Sequence, residues 1–354
     1  MPSICIANPQ FEQELELISE KSLEESFLSN PLTPQLQFLS YLYAKPDDLC
    51  LTTHFADPEY KNRLVAMNII PAQGALFKEP SLPNWKINYW GYTSSLVKYA
   101  QTKNLILPSL DPLLVKMINR KDFSFRLGKK LPGSNLLWST QEVEDWMKTI
   151  SGTKVLKSTL GLAGRGHAFI NDHLDPRALS FLKRQWELQL PVLAEPWVER
   201  ILDFSTQWDI LPSQEVQYLG STICQNDQKG MYQKTIILPK DHIPSYDHFL
   251  AEHKEFVFPI LQEIAKKGFC GNLGIDAMIY TSKGSVFLHP IVEINGRKTM
   301  GFCALILQKT YFPNQALTMH YSNGLDSKSL LPHFLLNEKT PSQFFRKSLL
   351  LTFI

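Results

Sequence analysis

The stretch that most limits the fold covers residues 271–301, GNLGIDAMIYTSKGSVFLHPIVEINGRKTMG. It reads as two strands, 274–280 and 285–295, joined by turn residues at Ser282, Lys283 and Gly284. Side chains alternate along a strand, so parity fixes which of them meet. A loop of two or four residues puts Ile275, Ala277 and Ile279 on one face with Val286, Leu288, Val292 and Ile294. That face is uniformly apolar, which favours an even loop. The other face then carries Asp276 with Glu293, Asn295 and Arg297. In this register Asp276 lies across from His289 or Ile291 and diagonal to Glu293. Two carboxylates and an amide oxygen at one end of a hairpin suit a hard divalent cation. An arginine two residues further along suits a phosphate or carboxylate. A lone strand acid is more often a solvated one. Three polar groups at every second position, ending an apolar strand, are harder to explain that way.

The chain has 354 residues, enough for two or three compact units with a sizeable core. Thirty-six basic against 34 acidic residues leave a net charge of +2. No basic run interleaves with aromatics, so no nucleic-acid partner is expected. No apolar run reaches 18 residues, and the first residues lack a basic segment followed by an apolar one. Neither a membrane span nor a signal peptide is expected, and the expected location is cytoplasmic. Five cysteines, at 5, 50, 224, 270 and 303, fit no zinc spacing and read as free, mostly buried thiols.

Strands and helices alternate over residues 1–108, as in a small α/β layer domain. Asp111 is placed to cap a helix that opens on Pro112 and runs towards residue 130. Further on, a strand at 154–157 and one at 167–170 flank STLGLAGRG, whose Gly161, Gly164 and Gly166 let backbone N–H groups approach phosphate oxygens. This order is strand–loop–strand, unlike a Rossmann or Walker loop. PVLAEPWV, residues 191–198, is an apolar strand with one acid near its end. Strands at 203–210, 217–224 and 235–238 and a long helix at 248–267 precede the hairpin. A further helix runs to about residue 310, and the prolines at 313, 332 and 341 break up the tail.

Glu293-Ile294-Asn295-Gly296-Arg297, closing a strand that pairs with an acid-bearing one, resembles the metal signature of the ATP-grasp superfamily. Its members include D-alanine–D-alanine ligase, biotin carboxylase and carbamoyl phosphate synthetase. The order of motifs from about residue 109 to 301 follows the same plan. The resemblance implies an α/β (α+β) fold in which two α+β subdomains grip ATP behind an N-terminal α/β pre-grasp domain. The expected boundaries are 1–108 for the pre-grasp domain and 109–310 for the ATP-grasp domain, with a lid at about 151–206. Residues 311–354 form an extension that matches nothing in the family.

By the same resemblance Asp276, Glu293 and Asn295 hold two Mg²⁺ ions, with Mn²⁺ as a substitute. Arg297 contacts the phosphate or reacting centre. Lys157 and the glycines at 161, 164 and 166 bind ATP phosphates, with Lys154 as the rival lysine. Glu195 accepts from the adenine amino group, and the backbone of Pro196, Trp197 and Val198 follows the purine edge. Asp203, or else Glu199, binds ribose, and Arg120 binds phosphate. The implied reaction activates a small carboxylate as an acylphosphate for attack by an amine, releasing ADP and phosphate. A biotin-carboxylase-like component and a non-catalytic ATP-binding regulator are the alternatives. Neither the substrates nor the oligomeric state follow from these residues.

Overall fold

The structure is a computed structural model that describes residues 2–16, 21–28, 33–78, 82–160, 166–227, 230–337 and 340–354. Gly161 and Gly164 therefore lie outside the described residues.

The N-terminal unit is a parallel sheet between helices. Its strands are β1 (Ser3–Ile6), β2 (Leu49–Thr52), β4 (Gln73–Leu76) and β5 (Lys86–Tyr89), in the order β4-β2-β1-β5. A two-residue strand, β3 (Phe55–Ala56), stands apart from this sheet. Ile4, Ile6, Leu51, Phe77 and Ile87 bury its core against α2 (Leu23–Phe27) and α5 (Ser94–Thr102). The remaining helices here are α1 (Phe11–Glu16), α3 (Thr33–Leu36) and α4 (Tyr60–Ala66). A tighter 3₁₀ turn at Gln37–Leu42 follows α3.

The Asp111 side chain accepts from the Leu113 N–H at 2.8 Å, and Pro112 opens α6 (Pro112–Ile118). The single helix expected here breaks at Asn119 and Arg120 and restarts as α7 (Lys121–Leu127). Asn119 turns back, donating to the Val115 carbonyl and accepting from the Gly296 N–H. Such side-chain bonds to the backbone compete with helix continuation.

A second sheet, β6-β9-β7-β8, is antiparallel throughout. Its strands are β6 (Asn135–Leu137), β7 (Lys154–Ser158), β8 (His167–Ile170) and β9 (Val192–Pro196). One face packs on α8 (Thr140–Thr149) and α9 (Pro176–Glu187) through Val143, Trp146, Leu156, Leu182 and Val192.

The largest sheet has seven antiparallel strands in the order β14-β13-β10-β11-β12-β15-β18. These are β10 (Glu199–Ile210), β11 (Val216–Asn226), β12 (Tyr232–Ile237), β13 (Gly271–Ser282), β14 (Ser285–Asn295), β15 (Leu317–Asn323) and β18 (Lys347–Phe353). Helices α10 (Asp247–Lys266) and α11 (Met300–Tyr311) pack against it. The tail is thus mostly strand. Besides β15 and β18 it supplies β16 (Phe334–Asn337) and β17 (Thr340–Phe344), which pair with β3 in a small sheet. Gln35 bonds the carbonyls of Pro332 and Lys347, fixing the tail to the N-terminal unit.

The hairpin has the two-residue loop that parity favoured. Lys283 and Gly284 both take positive φ, +50° and +77°, as a type I′ turn demands. Beyond Met278, which pairs with His289, the register shifts and Asp276 stands directly opposite Glu293. The expected position of Asp276, across from His289 or Ile291 and diagonal to Glu293, is corrected by this bulge. Pro290 has no N–H to give the ladder. Its carbonyl is taken instead by His253 of α10, at 2.9 Å. Ile291 consequently turns into the core with Ile275 and Ile294, while Val292 packs with Met278 and Tyr280 on the other side.

Candidate functional site

Asp276 and Glu293 share one edge of the paired strands, and the Asn295 amide donates to Asp276 at 3.2 Å. Burial and the charge of Glu293 push the Asp276 carboxyl up to about 6, against the opposing pull of Ser205, Arg297 and Asn295. Lys121, at the first turn of α7, bonds Glu293 at 2.5 Å. Two carboxylate oxygens and an amide oxygen are the hard donors that Mg²⁺ takes. Lys121 pairs with Glu293, and among the described residues Asp276 makes no ion pair. These residues therefore fit a divalent cation.

The cleft in front of them encloses about 940 Å³, counting the space at its mouth. Lys121, Asp276 and Glu293 form one end of it, and Lys157, Trp197 and Asp203 line the rest. Lys157, one residue before the end of β7, bonds Glu195 on β9 at 2.5 Å. Burial alone would raise the Glu195 carboxyl, but the charges of Lys157, His289 and Arg200 hold it below the ordinary carboxylate value. Lys154, three residues back, is buried and turned away, bonding the carbonyls of Gly152 and Asn171.

Pro196 ends β9 opposite Lys154, and the Trp197 N–H is taken by the Thr153 carbonyl at 2.9 Å. The Trp197 ring faces the cleft between Phe169, edge-on at 4.8 Å, and the Arg200 guanidinium at 4.5 Å. Val198 packs inward with Leu131 and Met278. Asp203 lies in the cleft, held by Arg200 at 3.2 Å and by Asn226 at 2.9 Å. Glu199 instead bonds Thr281 at the exposed start of β10. Gly166 takes φ +93°, and its carbonyl accepts from the Ser158 N–H across the ends of β7 and β8.

Arg120 and Arg297 sit elsewhere than expected. Arg120 chelates Asp122 through Nε at 2.7 Å and lines a neighbouring cavity with Ser158, Leu160 and Gly166. The helix break turns the next residue, Lys121, into the cleft instead. The unbroken helix expected here had hidden Lys121, although it follows Arg120 directly in the sequence. Arg297 lies past the end of β14 and is gripped by Glu12 of α1, whose Oε1 accepts from both its Nε and a terminal nitrogen. The other Glu12 oxygen is buried without a partner. Nothing in the sequence had singled out Glu12.

The five cysteines are free, with Cys5, Cys50 and Cys303 buried and Cys224 and Cys270 partly so. Among the described residues no helix is long and apolar enough to cross a membrane.

No family model matches the sequence, and no curated protein matches it. Solved structures do. A carboxyaminoimidazole ribonucleotide synthase from Aspergillus clavatus complexed with ATP superposes with a TM-score of 0.52 at 13% identity, covering 100% of this chain and 94% of that one. A biotin carboxylase–ATP complex from Campylobacter jejuni gives 0.52 at 11% identity, covering 99% and 87%. The N5-carboxyaminoimidazole synthetase of Staphylococcus aureus complexed with ADP gives 0.50 at 13%, covering 99% and 93%. The chain therefore has the ATP-grasp fold over its whole length, as the hairpin motif and the order of elements implied.

Proposed function

We propose that this ATP-grasp chain is an ATP- and Mg²⁺-dependent ligase. It activates a small carboxylate as an acylphosphate and joins it to an amine, releasing ADP and phosphate. The observation that carries this reading is Asp276 directly opposite Glu293, beside Asn295, in a cleft that Lys121 and Lys157 also line.

Asp276, Glu293 and Asn295 would hold two Mg²⁺ ions, or Mn²⁺ in their place. Bound there, the cations neutralise charge on the β- and γ-phosphates. Phosphoryl transfer needs positioning and charge neutralisation more than covalent help. Lys157, Lys121 and the loop at Gly161, Gly164 and Gly166 supply donors for the phosphates. Each lysine is paired with a carboxylate, Glu195 or Glu293, so incoming phosphates compete for cations already in place. Glu195, freed from Lys157, can accept from the adenine amino group beside Trp197 and Val198. Asp203 is better placed for ribose than Glu199. Arg297 stabilises charge at the reacting carboxyl only after exchanging Glu12 for the substrate. Arg120 acts on the phosphates from the neighbouring cavity.

Two solved structures of this fold carry the names of carboxylating enzymes, which keeps bicarbonate among the acids to be tested. The test is ADP release with Mg²⁺ and paired amino acids, small carboxylates and bicarbonate. A thermal-shift titration with ATP–Mg²⁺ runs beside it. No stabilisation at millimolar ATP–Mg²⁺ would remove the basis of the proposal.

A further inference from the structure

The strand that carries Glu293 and Asn295 is an edge strand. Among the described residues β14 pairs with β13 alone. Along an antiparallel edge, alternate residues turn their backbone groups away from the partner strand. Ile294 and Gly296 do so here, yet neither N–H is left open. The Ile294 N–H donates to Ser124 Oγ at 3.1 Å, and the Gly296 N–H donates to Asn119 Oδ1 at 2.9 Å. Edges open at such groups are weak points of a sheet. Here the end of α6 and the body of α7 lie along the strand and close it with side chains.

The two bonds bracket the acid-and-amide motif. Ile294 lies between Glu293 and Asn295, and Gly296 lies between Asn295 and Arg297. Each captured amide follows a carboxylate or amide of the cation site by one residue. The backbone there cannot shift along β13 without breaking a side-chain bond. Ser124 is 1% exposed, so water has no access to take its place. Asn119 is itself held, because its Nδ2 donates to the Val115 carbonyl at 2.8 Å. A Cβ on Gly296 would come within 2.9 Å of that nitrogen, so a side chain there would push Asn119 aside. Asn119, Glu293 and Asn295 line one small cavity together.

We infer that Asn119 and Ser124 are positioning residues for the cation site. Neither meets the cation. Each holds β14 in the register that puts Glu293 opposite Asp276 and the Asn295 amide within reach of it. The inference rests on the reading of Asp276, Glu293 and Asn295 as cation ligands. Removing a group that orients a metal ligand costs about 10–100-fold in metal affinity.

Two measurements on the full chain test it. Amide exchange followed by NMR reads the bonds with no metal present. Ser124→Ala should speed exchange of the Ile294 amide, and Asn119→Ala that of the Gly296 amide, each at least tenfold. Titration with Mn²⁺ alone, read by the electron paramagnetic resonance of the free ion, gives the affinity. Both variants should bind Mn²⁺ at least fivefold more weakly than the native chain. Thr93→Ala removes the cap of α5 in the N-terminal unit, away from β14, and should leave the affinity within twofold. Unchanged exchange at both amides, or native Mn²⁺ affinity in both folded variants, would overturn the inference. An equal loss in Thr93→Ala would trace the effect to lowered stability and overturn it as well. A native chain that binds no Mn²⁺ would remove the cation reading and this inference together. Binding by the native chain with unchanged variants would remove this inference alone.

Discussion

Glu293 faces Asp276 across one ladder step, so its charge is committed to whatever the pair holds. Glu293→Gln keeps the shape and one acceptor oxygen for Lys121 but removes that charge. A loss of about 3 kcal/mol of transition-state stabilisation would slow turnover on the order of a hundredfold. The melting temperature without nucleotide should move little, while its rise on adding ATP–Mg²⁺ should shrink. Near-normal turnover would make Glu293 a solvated strand acid after all. Lys121 and Arg120 give a sharper contrast. Lys121→Met should abolish most of the ATP–Mg²⁺ shift, and Arg120→Met should leave the larger part of it, because only Lys121 lines the cleft. Equal losses would mean that the helix break at Asn119 does not decide which cation serves. At this scale the shared face of Asp276 and Glu293 was readable from alternation along strands, whereas Lys157 and Asp203 were expected only from the resemblance, and both line the same cleft. Which of Arg120 and Lys121 faces the cleft was not readable, because helix phase is lost at a break that the Asn119 side chain makes through contacts with Val115 and Gly296.

The hairpin shows what local pattern does and does not carry. Its strands, its two-residue loop and its apolar face were legible because turn chemistry and alternation are written in neighbouring residues. The bulge was not, because it depends on His253 of α10, 37 residues from Pro290. Trp208 Nε1–H already donates to Thr206 Oγ1, whose hydroxyl also meets His253 Nε2 at 2.7 Å. The Pro290 carbonyl can only accept, so His253 carries its proton on Nδ1 and is neutral. Burial lowers its pKa from 6.5 to about 4. Between those values the unfolded chain binds the extra proton, so stability is full above pH 6.5 and is lost as pH falls towards 4. The loss is on the order of 3 kcal/mol. His289, also lowered to about 4 by burial, acts in the same direction. Melting temperatures at pH 7.5 and 5.0 should therefore differ more for the native chain than for His253→Gln. Parallel curves would exclude His253 as a source of acid sensitivity.

Across the whole molecule, the tail that resembled nothing in sequence is structural. β18 pairs with β15 over seven residues and forms the far edge of the large sheet. Its residues Leu349 and Leu351 enter the main core. Deleting residues 347–354 would strip β15 of one of its two partners and leave an unpaired edge prone to association. The shortened chain should melt at least several degrees lower or elute as aggregates in size-exclusion chromatography. Unchanged melting would make β18 dispensable.

The internal pairing of Lys121 with Glu293, Lys157 with Glu195 and Arg297 with Glu12 has a kinetic consequence. Cations whose fields are cancelled at contact distance project little potential into solvent. A polyanion approaching the cleft is not drawn in from afar; it collides and then displaces the resident carboxylates. The association rate for ATP–Mg²⁺, followed by stopped-flow Trp197 fluorescence, should be nearly flat between low and physiological salt and should level off at high nucleotide concentration.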